Sequence, residues 1–311
     1  MSKKKNHPIL KTVGITAAAG VCAYAGSGYA LFRKLFDLNN SSFYKAIGIR
    51  RLTAGDSEKN NWFMHSTRDD DFLDSYDGLK LHAMRITNHP EDHRWMIIQH
   101  GFSDYSGGML DLIYEADHNG YNVLAPDSRG CGMSEGQYTG LGWMEHYDLI
   151  SWINYLVTLD PEAQIAVYGA DAGAAALMNA AGDYLPSNVK CLIEDSGFSG
   201  IREYILNAIR IEFGIDGRLL IPAIDFYVKQ ILHFSVDDVS TRRQLTQGTI
   251  PMLFMHGTHN ELIPSSMVFD NYYAYAGEKD LYMIEGGRFG ERGDEPSCYR
   301  AIFGFAEKYI G

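Results

Sequence analysis

Cysteine and positive charge are both scarce in this sequence. The four cysteines, at positions 22, 131, 191 and 298, form no C-x-x-C or zinc-ligand spacing, so we expect neither a disulfide framework nor a metal site. The 27 lysines and arginines are outnumbered by 39 aspartates and glutamates, giving a formal net charge of −12. Nucleic acid is disfavoured as a partner, because phosphate binding needs a basic surface. No cofactor is expected.

Charge is also missing from a long stretch near the amino terminus. No charged residue occurs from Thr12 to Phe32, a run that follows lysines at positions 3–5 and ends before Arg33 and Lys34. As a helix it would measure roughly 30 Å, the thickness of a bilayer core. We interpret residues 1–38 as a single-pass membrane anchor, which places the protein at a membrane with its domain on the extracytoplasmic side. A signal segment cleaved at an A-x-A site over 23–25, or a buried helix, are the alternatives.

The rest of the chain divides into a linker and one domain. Residues 39–68 are polar and predict a linker. Within 69–311, the Asp77-Gly78 pair between two strand-like runs predicts a hairpin. Strands and helices then alternate, which predicts an α/β fold with a mostly parallel central sheet flanked by helices. Only 199–247 breaks the alternation; its apolar residues recur at helical spacing and predict a small helical cap. The predicted strands are 95–99, 122–125, 165–168, 189–194, 252–255 and 281–284, and the predicted helices are 108–118, 143–158, 172–184, 265–275 and 296–310.

A strand, a sharp turn and a helix are predicted in sequence from Ile165 to Met178. The apolar run ends in a G-x-x-x-G turn, and an alanine-rich, helix-favouring segment follows. Gly169 and Gly173 permit a strained backbone and close packing. Asp171 should therefore project above the sheet at a helix N-terminus.

Three further motifs accompany this elbow in a definite order. His100-Gly101-Phe102 follows a strand, residues 125–136 read A-P-D-S-R-G-C-G-M-S-E-G, and residues 256–264 read H-G-T-H-N-E-L-I-P. Over about 70–310 the ordered set resembles the α/β hydrolases. It is most similar to bacterial, membrane-anchored, serine-aminopeptidase-like members, generally thought to act on esters or amides. The resemblance implies the α/β-hydrolase fold, with oxyanion amides from Phe102 and Ala172.

All three catalytic positions implied by the resemblance are substituted. Asp171 replaces the serine nucleophile, Asn260 replaces the aspartate, and Phe289 replaces the histidine. Acyl transfer on this scaffold needs all three groups. No histidine follows His259, so a shift of register does not restore the base.

Other polar residues near these positions have lesser roles. Glu261 and His259 are weak alternatives for the acid and the base, because geometry must orient such groups. Arg288 is the candidate counter-charge to Asp171. His100 and His256, each before a glycine at a strand end, are predicted to be structural. Cys131, where the family commonly has histidine, is also interpreted as structural.

The leading functional hypothesis is a non-catalytic, membrane-tethered binding or scaffolding protein that keeps the hydrolase pocket for a small molecule or peptide. The alternative is a hydrolase with Asp171 as nucleophile and an unidentified base. Haloalkane dehalogenases and epoxide hydrolases, on the same fold, use such an aspartate, but they need a histidine-activated water to release the alkyl-enzyme ester. A deliberately inactivated variant of an ester or amide hydrolase is the third hypothesis.

Overall fold

The computed structural model describes residues 8–39, 57–102, 104–287 and 296–311. In chain order the elements are α1 Pro8–Phe36, α2 Ser57–His65, β1 Arg68–Asp74, β2 Lys80–Ile86, β3 Arg94–Gln99, α3 Leu110–His118, β4 Asn122–Pro126, α4 Trp143–Leu159, β5 Gln164–Ala170, α5 Ala172–Ala180, β6 Val189–Asp195, α6 Ile201–Phe213, α7 Ile221–Ile231, α8 Thr241–Leu245, β7 Met252–Gly257, α9 Ser265–Ala274, β8 Lys279–Ile284 and α10 Pro296–Ala306. Short 3-10 turns at Ser106–Met109 and Gly217–Leu219 precede α3 and α7.

One sheet of eight strands runs through the described part of the chain in the order β1-β2-β4-β3-β5-β6-β7-β8. β2 pairs antiparallel with β1 and β4, and the pairs beyond β4 are parallel. The predicted mostly parallel sheet is confirmed. The predicted hairpin is confirmed as well: Asp74 pairs with Lys80, and Gly78 takes the positive φ of 87° that its turn requires.

Two apolar layers cover the faces of this sheet. One layer joins the strands to α3 and α10 through side chains such as Ile113 and Phe303. The other joins them to α4, α5 and α9 through Trp152, Leu177 and Val268. Strands buried on both faces read as continuous apolar runs rather than alternating ones, as β5 does.

The segment predicted as a linker contains the helix α2. Trp62 of α2 packs edge-on against Tyr114 of α3 at a centroid distance of 5.2 Å, and its Nε1 donates to Asp117 Oδ2 at 2.6 Å. The polar composition of this segment gave no indication of a helix, because the helix is held in place by only a few aromatic side chains. For residues 57–65 the linker prediction is therefore corrected.

The last turns of α1 pack against the protein rather than standing free of it. Phe32 and Phe36 are fully buried, and a Cβ on Gly28 would lie 2.5 Å from Ala223 Cβ of α7, so the two helices cross closely. Leu38 N donates to Gln137 O at 3.0 Å. The carboxyl end of the predicted anchor is thus part of the domain. Within the described residues, no helix combines the length and the apolar character needed to cross a membrane.

The segment predicted as a cap contains α6, α7 and α8. A third apolar cluster joins α6 and α7 to α1 and to the loops around the elbow. Leu141 and Ile263 of these loops, and Ala175 of α5, belong to the same cluster as the cap residues. The cap and the end of α1 therefore pack together over the edge of the sheet at which the parallel strands end.

Candidate active site

Asp171 forms the elbow between β5 and α5. Its backbone has φ 49° and ψ −110°, a strained conformation for a residue with a side chain. Its amide donates to Asp195 O at 2.8 Å, and its carbonyl accepts from Ala175 N at 3.0 Å. A Cβ on Gly169 would overlap the carbonyl of Gly173, so both glycines are needed for this tight turn. The predicted position of Asp171 at the N-terminus of a helix is confirmed.

The Asp171 carboxylate lies against the loop that follows β3. A Cβ added to Gly101 would collide with Asp171 Oδ2, and one added to Gly173 would collide with the carbonyl oxygens of Gln99 and His100. The elbow and the loop after β3 are therefore in direct contact, and Asp171 is 7 % exposed. Ala172 supplies the first residue of α5, where backbone amides have no intrahelical partner. The assignment of the Phe102 and Ala172 amides as oxyanion donors stays a prediction.

His100 has a structural role. Its Nε2 accepts from Ser128 N at 2.9 Å, which leaves Nδ1 to donate to Gly101 O at 2.8 Å. This pair of bonds fixes the neutral tautomer and ties the β3 loop to the loop after β4.

The loop after β4 is held by buried ion pairs. Arg129 donates twice to Asp148, with Nε and Nη2 each 2.7 Å from a carboxylate oxygen, and Nη1 lies 2.8 Å from Asp77 Oδ2. Although burial opposes the charge, these carboxylates raise the pKa of Arg129. Burial raises the pKa of the Cys131 thiol to about 12, so Cys131 is not a reactive thiolate.

Asn260 lies in the loop after β7, as predicted. Its Oδ1 accepts from Ile263 N at 2.9 Å, and its buried Nδ2 has no hydrogen-bond partner among the described residues. The cap holds this loop in place, because Asn207 of α6 donates to the carbonyls of Glu261 and Leu262 at 2.8 and 2.6 Å. These hydrogen bonds therefore tie the loop after β7 to the cap.

Three ionisable residues that the sequence singled out lie in β7 or in the loop that follows it. His256 donates through Nε2 to Ile263 O at 2.7 Å, and burial lowers its pKa, so it is neutral and structural. His259 is exposed, and its Nδ1 lies 3.1 Å from Thr258 Oγ1. Glu261 is exposed as well. The predicted histidine position, Phe289, and the candidate counter-charge, Arg288, lie outside the described residues.

Two buried carboxyl groups at the end of β6 were missed by the sequence analysis. Asp195 accepts from Tyr168 Oη at 2.6 Å and from Ser196 Oγ at 3.0 Å, and its carbonyl accepts the Asp171 amide. Glu194 is fully buried, and burial raises its pKa well above the usual range, which favours its neutral form. The available signal was the Glu-Asp pair that ends an apolar strand next to the elbow.

Stacked aromatic rings join the loop after β3 to the cap. The Phe102 ring lies 5.0 Å from the Tyr204 ring of α6, and Tyr204 lies 4.9 Å from Phe198. Among the described residues, no group of histidine, cysteine, aspartate and glutamate side chains is arranged to hold a metal ion.

The described part of the chain has the α/β-hydrolase fold. Residues 90–221, which make up less than half of the chain, match the family model for serine aminopeptidase, S33. The uncharacterized protein YqkD of Bacillus subtilis (strain 168) is 28% identical over 193 residues, which cover 62% of this chain and 63% of that protein. The match thus spans less than two thirds of the relative's length.

Solved esterase structures share the fold. The Pyrococcus furiosus esterase Pf2001 aligns with a TM-score of 0.66 at 19% identity, covering 83% of this chain and 98% of the esterase. Acetyl xylan esterase 1 from Thermoanaerobacterium sp. aligns with a TM-score of 0.59 at 16% identity, covering 78% of this chain and 84% of that enzyme. At these identities the likeness shows the fold alone.

Proposed function

We propose that this protein is a non-catalytic, membrane-tethered α/β-hydrolase-fold protein that uses the hydrolase site to bind a small molecule or peptide. The position of Asp171 carries the proposal. Its buried carboxyl group lies against Gly101, in the loop implied to supply an oxyanion amide. An ester attacked at this place would develop negative charge on its carbonyl oxygen. A resident carboxylate repels that charge, and it lacks the hydroxyl of a serine nucleophile.

Asn260 supports the same proposal. A neutral amide does not stabilise an imidazolium as a carboxylate does, and Asn260 Oδ1 is already bonded to Ile263 N. A buried donor without a partner carries a desolvation cost that a bound acceptor relieves. The Nδ2 group, which has no partner within the described chain, is therefore a suitable donor to a ligand or a water molecule.

The elbow conformation favours a second candidate, an enzyme with Asp171 as nucleophile. The φ of 49° at Asp171 is the kind of backbone strain that active sites retain. Hydrolysis of an alkyl-enzyme ester still needs a base to activate water, and the sequence has no histidine after His259. Without that base the protein would be alkylated once and then stall.

Covalent labelling followed by peptide mass spectrometry separates these candidates. The full chain is incubated with a haloalkane, with an epoxide and with a fluorophosphonate, and Asp171→Asn is treated in parallel. We expect no alkyl adduct at position 171 and no site-specific phosphonylation. An alkyl group on the Asp171 peptide that is absent from Asp171→Asn would establish the second candidate. Specific phosphonylation, for instance at Ser106, would contradict both.

The membrane tether is supported by the uncharged run from Thr12 to Phe32. Because Phe32 and Phe36 pack in the domain, the tether is best tested by deleting only residues 1–19. The full chain should fractionate with membranes, and the deletion variant should move to the soluble fraction. Recovery of the uncleaved full chain from the soluble fraction would contradict the tether.

A further inference from the structure

Exposed apolar side chains concentrate on α1 and the cap. Of the eighteen large hydrophobic or aromatic residues exposed in the described part, eight lie on α1 or between 211 and 226. Scattered exposed hydrophobic residues are ordinary, whereas a concentration of them marks an interaction surface. The members nearest the end of α6 are Ile211, Phe213, Ile215 and Leu219, of which Leu219 is 82% exposed.

Both ends of this short segment are tied to α1. At one end Lys34 forms an ion pair with Glu212, and its Nζ lies 5.3 Å from the centre of the Phe213 ring. At the other end Tyr24 Oη donates to Leu219 O at 2.7 Å. The exposed side chains of the segment therefore flank α1. We call this surface the cap rim and define it as Val21, Tyr24, Ile211, Phe213, Ile215 and Leu219.

We infer that the cap rim is a lipid-docking surface and that its occupant is a phospholipid bilayer. This inference rests on the proposed tether and not on the absence of catalysis. Two rim residues, Val21 and Tyr24, belong to the uncharged run of α1, so a bilayer that receives the part of the run before them also meets the rim. Tyr24 joins an apolar ring to a polar hydroxyl, as tyrosines at membrane interfaces do.

Charge at the rim favours apolar insertion over attraction to anionic lipid. Glu212 is paired with Lys34, and Asp216 is paired with Arg218 at 2.5 Å, so the local charges largely cancel. The whole chain has a formal net charge of −12, which would repel an anionic surface. Neutral phosphatidylcholine should therefore suffice as the docking lipid, with little dependence on salt.

Docking fixes the orientation of the site. Tyr204, whose ring covers Phe102, and the exposed Phe213 belong to the same helix, α6. Insertion of the rim would therefore hold α6 between the Phe102 loop and the bilayer. Apolar groups at such a surface enter roughly 5–10 Å into the headgroup and acyl boundary.

The test measures the depth of single fluorescent labels on the full chain in phosphatidylcholine vesicles. A Cys22→Ser background carries either Leu219→Cys or Ile215→Cys, each labelled with an environment-sensitive dye. Tyr184→Cys is the matched control, because Tyr184 is 90% exposed and precedes β6, at the edge of the sheet opposite the elbow. Iodide quenches labels in water, and doxyl-labelled lipid quenches labels in the bilayer.

We expect both rim labels to lose iodide quenching and to gain doxyl quenching when vesicles are added, while the control label does neither. If the protein floats with the vesicles but iodide quenching of the rim labels is unchanged, the protein is tethered without docking through the rim. That result would overturn the inference. Failure to float would overturn the rim and the tether together. Protection of the rim labels without vesicles, with dimers in sedimentation, would identify a second copy of this chain as the occupant and likewise overturn the inference.

Discussion

Asp171 keeps the backbone of a nucleophile while carrying a different side chain. A non-glycine residue at φ 49° and ψ −110° stores about 1–3 kcal/mol of strain. The strain persists because hydrogen bonds on both sides, to Asp195 and from Ala175, hold the turn. In an active hydrolase this strain serves catalysis, whereas in a non-catalytic protein it only lowers the stability.

Two substitutions at this position separate the strain from the carboxyl group. Asp171→Ala removes the carboxyl group and keeps the Cβ, whereas Asp171→Gly removes both. Because glycine accepts positive φ without a steric penalty, we expect the glycine variant to be about 1 kcal/mol more stable than the alanine variant. Urea unfolding of both variants measures the difference. Equal stabilities, or a less stable glycine variant, would show that the elbow is not strained in solution.

His82 gives the protein a pH-dependent contribution to stability. Burial alone would lower its pKa, but hydrogen bonds to Asp127 and Asp70 outweigh it and the pKa is raised. Its Nδ1 lies 2.7 Å from Asp127 Oδ2, and its Nε2 lies 3.0 Å from Asp70 Oδ1. A raised folded pKa means that the stabilisation is fully present below the unfolded value of about 6.5 and is lost as pH rises through the folded pKa.

The variant His82→Gln tests this contribution. The excess free energy of unfolding of the unmodified protein over the variant should be larger at pH 6 than at pH 9. Urea titrations at the two pH values measure it, and Gln99→Ala serves as a control for a non-titrating side chain. An excess that is constant, or that grows toward pH 9, would contradict a charged His82 between the two carboxylates.

At the scale of secondary-structure elements, α1 is part of the cap. Phe32 stacks on Phe36 at a centroid distance of 5.5 Å, and the Tyr138 and Tyr227 rings lie 5.6 and 6.2 Å from Phe32. An anchor attached only through a linker would not bury these rings. The carboxyl end of α1 therefore contributes to folding as well as to the proposed tether.

Replacing Phe32 measures this contribution. Phe32→Ala should lower the free energy of unfolding by about 3–5 kcal/mol, because it empties a fully buried site. Val21→Ala, at a residue that is 67% exposed, should change it by less than about 0.5 kcal/mol. Denaturant unfolding of the full chain in one detergent compares them. Similar small effects at both positions would indicate that α1 does not pack on the cap.

The sheet could be predicted from local sequence signals, whereas features that depend on long-range packing could not. The Asp77-Gly78 turn and the apolar runs of β3 to β8 are encoded within a few residues, so both were found in the sequence. Helix α2 was missed because it depends on the contact between Trp62 and Asp117, which are distant in sequence. Asp195 was missed for a similar reason: its position beside Asp171 follows from the pairing of β5 with β6. The positions of Asp171 and Asn260 were predictable because ordered motifs mark them.

At the scale of the whole molecule, the catalytic groups should behave as a unit. Restoring serine alone, by Asp171→Ser, should give almost no esterase activity, because a serine without its base is a weak nucleophile. Asp171→Ser combined with Asn260→Asp and Phe289→His should give measurable hydrolysis of an activated ester. Asp171→Ala with the same two partner substitutions is the matched control. Activity in the single Asp171→Ser variant equal to that of the triple variant would show that a base already exists in the chain.

Steady-state turnover by the unmodified chain decides whether the protein is catalytic. The full protein is assayed against panels of esters, amides and haloalkanes beside Asp171→Ala, prepared and purified identically. We expect both proteins to give the same background rate on every substrate, since Asp171 has no base to complete a catalytic cycle. Turnover by the unmodified chain that Asp171→Ala abolishes would contradict the non-catalytic assignment and establish an aspartate-nucleophile hydrolase.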